Sequence, residues 1–269
     1  MDELGTAAGV RVERDGPVLF VTLASPENRN AQTPATWRRL AEVAHFVDEA
    51  TRVVLLRAEG KSFSAGLDRR MLSPEGVPGE PSILNLATMS AERIDEFICQ
   101  AQAGFTWWSR SHAITIAAVQ GHAIGAGFQL ALACDIIVAS NEAQFAMRET
   151  SLGLVPDLGG TGPLVRRIGY PRALEVCATG RMIDATEALR IGLANSIHPL
   201  EKFDEAVRSL AEALCVPSPG AVRDVKTLLR HADGAGAEGT SAEAQLAMER
   251  RLQADRIAEL RSLLTGSSE

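Results

Sequence analysis

Apolar and polar positions along this chain alternate between short runs and helical spacings, which predicts a mixed α/β order. Residues 9–14 and 18–24 read as two strands joined by the turn Asp15-Gly16-Pro17. Thr33 before Pro34 marks a helix start, and Trp37, Leu40, Val43, Ala44 and Val47 carry a helical spacing to about residue 49. Residues 52–57 enclose Val-Val-Leu-Leu, a run typical of a strand buried on both faces. A glycine-punctuated loop follows at 59–68, then a Pro-, Gly- and Glu-rich stretch at 72–81. Residues 83–109 predict one long helix leading to an apolar run at 115–119 that reads as a buried strand. Gly121, Gly125 and Gly127 then turn the chain into an almost wholly apolar helix that opens near Gly125.

Beyond that turn, residues 135–139 and 143–147 predict two strands, and 148–162 a loop holding two acids. Helical patterns cover 161–168, 173–179 and 184–191, the last capped by Asp184, with a small strand at 194–198. From about residue 201 the pattern is helical in three segments, divided at 217–220 and 233–236, and the tail 265–269 is expected to fray. No internal repeat is visible. The expected division is therefore a core of residues 1–200 and a helical C-terminal region of residues 201–269.

Composition narrows the function classes. A chain of 269 residues with 46% hydrophobic and 23% charged residues is of an ordinary globular kind. A formal charge of −7 argues against a general nucleic-acid binder. No apolar run is long enough to span a membrane, and the N-terminal residues lack the basic and apolar regions of a signal peptide. Cys99, Cys134, Cys177 and Cys215 lie far apart with no CxxC or Cys/His cluster, so neither zinc nor a disulfide framework is suggested. The expected setting is reducing and cytoplasmic. The glycines of the turn at 121–127 run GxxxGxG rather than GxGxxG, which sets aside a nucleotide-dependent dehydrogenase, and no GxSxG elbow signals a serine hydrolase.

The candidate chemistry starts at the glycine turn. A strand, a glycine turn and a buried helix start present free amides at the positive end of a helix dipole, a setting that favours developing negative charge. Three stretches then carry a likeness: KSFSAGLD at 61–68, AVQGHAIGAGFQLALACDIIVAS at 118–140 and AQFAMRETSLGLVPDLGGT at 143–161. Taken in this order and spacing, they resemble the crotonase, or enoyl-CoA hydratase/isomerase, superfamily over nearly the whole chain. The resemblance implies an α/β spiral of ββα units with a helical C-terminal region, a homotrimer or hexamer, and an acyl-CoA thioester as substrate. It implies no cofactor beyond the coenzyme A of that substrate.

Carried over by position, the backbone amides of Leu67 and Ala126 match the family's two oxyanion-hole donors. Glu149 matches one of the two hydratase glutamates. The other falls at Gln129, one helical turn beyond Ala126, and an amide cannot accept a proton at neutral pH. That departure weakens hydration and leaves double-bond isomerisation through Glu149 as the favoured reading. Asp157 matches an acid of dienoyl-CoA isomerases and is the second proton-carrying candidate; desolvation and repulsion are expected to push the two pKa values apart. Arg29 and Arg70, by resemblance and charge, are placed for CoA phosphates, and Ala65 and Asp68 border the adenine region in relatives. His122 is read as structural. Phe97, Phe105, Trp107 and Trp108 are expected to help shape the acyl pocket.

Alternatives stay open. Asp157 also suits a turn after Pro156, and Gln129 a core amide satisfied by backbone. A hydratase with Gln129 holding the water, or a non-catalytic acyl-CoA-binding protein, would use the same scaffold. The C-terminus departs from the basic, Phe-containing segment with which relatives cover a neighbour's CoA.

Overall fold

The structure, a computed structural model, describes residues 2–234, 248 and 250–253. The chain opens with β1 (Asp2–Ala7), β2 (Val10–Asp15) and β3 (Val18–Leu23), followed by α1 (Pro34–Glu42) and β4 (Val53–Ala58). Next come α2 (Ile83–Leu86), α3 (Ala91–Arg110), β5 (Ile114–Val119), β6 (His122–Ile124) and α4 (Ala126–Ala133). The order continues with β7 (Ile136–Ser140), β8 (Gln144–Ala146), α5 (Thr161–Ile168), α6 (Tyr170–Thr179), β9 (Ile183–Asp184) and α7 (Ala185–Arg190). It closes on β10 (Ser196–His198), α8 (Leu200–Cys215) and α9 (Pro219–Ala232). Two compact units divide after Glu212, within α8.

A seven-stranded sheet runs in the order β1-β2-β3-β4-β5-β7-β10, antiparallel across its first three strands and parallel thereafter. A smaller sheet runs β6-β8-β9. Two parallel strands of the large sheet hand the chain to the small one: β5 to β6 and then α4, β7 to β8 and then the loop before α5. After β4 the same step is made by an isolated bridge from Ser64 to Ala123. This repetition of strand, short strand and helix or loop is the ββα spiral, and it is a repeat of pairing with no counterpart in sequence. The central strands β4 and β5 are almost wholly buried, as their continuous Val, Leu and Ile runs predict. Every residue of α4 is buried, matching a helix that is apolar all round.

The structure corrects several boundaries. The helix expected over 33–49 ends at Glu42 and tightens into a 3-10 turn at Val43–Phe46, although Thr33 does cap it. The helix expected over 83–109 is two. Ser82 and Asn85 form a reciprocal capping box at α2, Thr88 Oγ1 donates to the Asn85 carbonyl, and a new helix starts after Ser90. Side chains of this kind draw backbone groups away from a continuous ladder. The polar edge strand β1 and the short strands β6 and β9 exist through pairing with neighbours and carry no pattern of their own. The third C-terminal helical segment lies largely, and the tail 265–269 wholly, outside the described residues.

Candidate active site

A cavity of about 680 Å³ opens in the first unit, among the loop at 65–72, the start of α4, the 148–158 loop, α2 and α3. Its lining is mostly apolar: Trp37, Leu72, Ile83, Leu86, Phe97 and Leu154 are among the contributors. Leu67, Ala126, Gln129, Glu149, Asp157 and Ala65 all line it. Residues as far apart as 37 and 158 therefore meet in one pocket.

The amide side is built by a polar relay beneath it. Trp37 Nε1 donates to Gln32 Oε1 at 2.9 Å, and Gln32 Nε2 to Ser64 Oγ at 3.1 Å. Ser64 Oγ in turn donates to the Asn30 carbonyl at 2.7 Å and accepts from the Gly66 amide at 3.2 Å. Gln32 N donates to Gly66 O, and Asp68 N to Gln32 O, so this parallel bridge flanks Leu67 on both sides. The Leu67 amide consequently points away from Gln32. Gly66 has φ +85°, and a Cβ there would lie 2.4 Å from the Ile124 carbonyl oxygen and 3.5 Å from the Ala126 nitrogen. Only glycine lets the two chains approach so closely. Ala126 is the first residue of α4, where an amide has no partner inside the helix. Among the described residues, neither the Leu67 nor the Ala126 amide has a hydrogen-bond acceptor.

The acid side centres on Glu149, in a short 3-10 turn at Glu149–Leu152. Gln129 Nε2 donates to Glu149 Oε1 at 2.7 Å, while Glu149 Oε2 is buried with no hydrogen-bond partner among the described residues. Gly125, at φ +51°, leaves room for the carboxylate; a Cβ there would come within 3.4 Å of Oε1. Burial pushes the Glu149 carboxyl above its ordinary pKa, and the negative Asp157 adds to the rise; its own backbone amide and the Gln129 hydrogen bond only partly offset this. Asp157 lies at the rim. Solvent reaches this residue, yet desolvation of its carboxyl also raises its pKa. The two acids are thus both lifted. The rise on the partly buried Glu149 carries more weight, because solvent screens Asp157.

Other expected residues lie elsewhere. Arg29, Asp68 and Arg70 are not among the cavity-lining residues. Asp68 is buried, caps the turn Arg69–Leu72 through the Arg70 amide, and holds the Arg70 guanidinium at 2.8 Å. That pairing pulls the Asp68 carboxyl below its usual pKa. Arg29 is exposed and offers its carbonyl to the Ala65 amide. His122 is exposed, with Nδ1 3.4 Å from Ser62 Oγ. Of the aromatics expected in the pocket only Phe97 lines it. Phe105 and Trp108 are buried in the core, and Trp107 donates to the Leu40 carbonyl. Trp37 takes their place. Arg69 and Arg148 also line the cavity, with no signal in sequence to separate them from the other arginines.

Among the described residues no group of three His, Cys, Asp or Glu could hold a metal ion, and no helix is long and apolar enough to cross a membrane.

A pocket that sets paired free amides near a desolvated carboxyl, on a ββα spiral, defines a class. The chain belongs to the enoyl-CoA hydratase/isomerase family, which it matches over residues 13–263. In fold it is similar to the "putative enoyl-CoA hydratase" of Thermobifida fusca YX in complex with CoA, with a TM-score of 0.87, 42% identity and 95% of each chain covered. In sequence it is similar to the 2,3-dehydroadipyl-CoA hydratase of Escherichia coli (strain K12), 31% identical over 90% of this chain and 87% of that protein. It is also similar to the carnitinyl-CoA dehydratase of Citrobacter koseri, 34% identical over 81% of this chain and 78% of that protein.

Proposed function

We propose that this protein isomerises the double bond of an unsaturated acyl-CoA thioester through Glu149. The observation that carries the reading is the unpartnered, buried Oε2 of Glu149 beside a cavity, with a neutral amide at Gln129 where a second acid would favour water addition. In this reaction Glu149 removes a proton from the carbon next to the thioester carbonyl of a 3-enoyl chain. The electron pair moves into the thioester as an enolate, whose oxygen accepts from the Leu67 and Ala126 amides; a donor of this kind is worth roughly 10²–10³ in rate. Collapse of the enolate shifts the double bond into conjugation as the Glu149 carboxyl, after exchanging its proton with solvent, protonates the carbon two positions further along. Asp157, at the rim, is the second carboxyl able to carry a proton. The CoA moiety would approach past Ala65, with the exposed Arg29 available to its phosphates and Arg70 held by Asp68. The complex of the Thermobifida fusca protein with acetoacetyl-CoA supports a CoA thioester as the ligand.

Hydration is the second reading, favoured by the hydratase and dehydratase names of the relatives. Gln129 would have to orient the water by donation alone, because its carbonyl oxygen already accepts from Leu158 N and Gly160 N.

The test is turnover of enoyl- and dienoyl-CoA esters in deuterated water, resolved by mass, for the native protein and Glu149→Gln. Deuterium incorporation with a shifted double bond, lost in the variant, is the expected result. Net addition of water would replace isomerisation with hydration. Tight binding of the esters without turnover would make the protein an acyl-CoA binder.

A further inference from the structure

We propose that Gln129 is the positioning residue of this site, pinning one oxygen of Glu149 and leaving Oε2 as the single atom that exchanges protons with the acyl chain. The proposal rests on Glu149 being the proton carrier, and it goes further by assigning how that carboxyl is aimed.

Gln129 is 1% exposed, on the wholly buried α4. Its Oε1 accepts from the Leu158 amide at 2.9 Å and the Gly160 amide at 3.2 Å, which fills both acceptor sites. Turning the carboxamide over would set its NH₂ group against two N–H donors, so the network permits one orientation. Nε2 must then face Glu149 Oε1, which it meets at 2.7 Å. Gly125 lets the carboxylate approach from the start of α4. With Oε1 held, the free lone pairs of the carboxylate are those of Oε2, buried and unpartnered among the described residues.

The same amide also holds the backbone next to the second acid. Leu158, whose N–H it holds, directly follows Asp157, and the Asp157 carbonyl accepts from Gln102 Nε2 at 2.7 Å. One side chain therefore aims the Glu149 carboxyl and anchors the backbone beside Asp157. Because it is neutral, it does so without adding a third negative charge. Its donated hydrogen bond favours ionised Glu149, which burial disfavours. A carboxyl that must hand a proton between two carbons of one bound chain gains from a fixed angle and a single exposed oxygen.

The experiment compares kcat, KM and the pH profile of 3-enoyl-CoA isomerisation in the native protein, Gln129→Met, Gln129→Glu and Glu149→Gln, with melting followed for each. Gln129→Met keeps length and apolar fit but removes all three hydrogen bonds. The expected result is a fall in kcat of about 10²-fold, the order that misplacement of a reacting group costs, with KM little changed. The limb of the profile set by ionisation of the base should move to higher pH. Gln129→Glu retains an acceptor for Leu158 N and Gly160 N, so it keeps the fold if Gln129→Met loses it. It replaces the donor towards Glu149 by a second carboxyl, and its limb should also move up. A native kcat and an unmoved limb in a folded Gln129 variant, beside an inactive Glu149→Gln, would overturn the positioning role alone. An active Glu149→Gln would overturn the reading of Glu149 beneath it.

Discussion

One part of the cavity lining offers backbone amides, at Leu67 and Ala126, and another offers carboxyls, at Glu149 and Asp157. The amide part is over-determined: a parallel bridge, a buried Trp37–Gln32–Ser64 relay and a glycine contact hold it, with no charged side chain among them. Asp68, next to Leu67 but outside the cavity lining, is paired with Arg70 and pulled to lower pKa. The carboxyl part is a loop and a 3-10 turn, where Glu149 is pushed the other way by burial and held by one neutral side chain. Two acids, one lining the cavity and one outside it, therefore answer to opposite physics. Asp68 spends its charge on the fold, whereas Glu149 keeps a charge that the fold does not fully compensate.

Glu149→Gln should break the comparison most sharply. In the proposed reaction it removes the base, and isomerisation measured by deuterium uptake should fall by roughly 10²–10⁴-fold. Gly66→Ala attacks the amide part instead. A methyl group 2.4 Å from the Ile124 carbonyl, at φ +85°, has to part the two chains that carry Leu67 and Ala126. Loss of about 10²–10³-fold in kcat is expected, the scale of one displaced donor, and CoA-ester binding should outlast turnover. Retention of kcat in a folded Gly66→Ala protein would dismiss these amides as participants.

Stability gives the smaller effects, with opposite signs at the two acids. The folded pKa of Glu149 is raised, so its contribution is favourable below the unfolded value near 4.3 and is lost as pH rises through the folded value. Glu149→Gln should consequently melt higher than the native protein at pH 7, with the gap closing below about pH 4. The folded pKa of Asp68 is depressed, so its contribution is present above about 3.9 and is lost as pH falls through the folded value. Asp68→Ala should cost about 1 kcal/mol at pH 7, mainly as a lost cap, since Arg70 is largely exposed and the ion pair adds little. Melting curves at pH 7 and at acid pH check both: the Asp68→Ala deficit should shrink in acid.

Much of this was legible in the residues. Runs such as Val-Val-Leu-Leu at 53–56 and the apolar stretch before Gly121 marked β4 and β5, and the free start of α4 followed from Gly125 and the apolar residues after it. Glycine patterns report backbone shape directly, so the amide turn could be read before its partners were known. Strand β6 and the break between α2 and α3 could not, because one depends on pairing with β8 and the other on local competition for hydrogen bonds.

By itself the sequence determined most of the strand and helix order, short of β1, β6, β9 and the break between α2 and α3, together with the glycine turns and the neutral amide at position 129. Those are properties of local backbone preference and residue identity. Tertiary structure alone decided that Gln129 is filled by the Leu158 and Gly160 amides, that Trp37 rather than Trp107 or Trp108 faces the cavity, and that Arg70 is claimed by Asp68. It also decided that Glu149 is desolvated. Partners drawn from residues 20 or more positions away set burial and hydrogen bonding there, and no local pattern along the chain encodes which distant groups will meet.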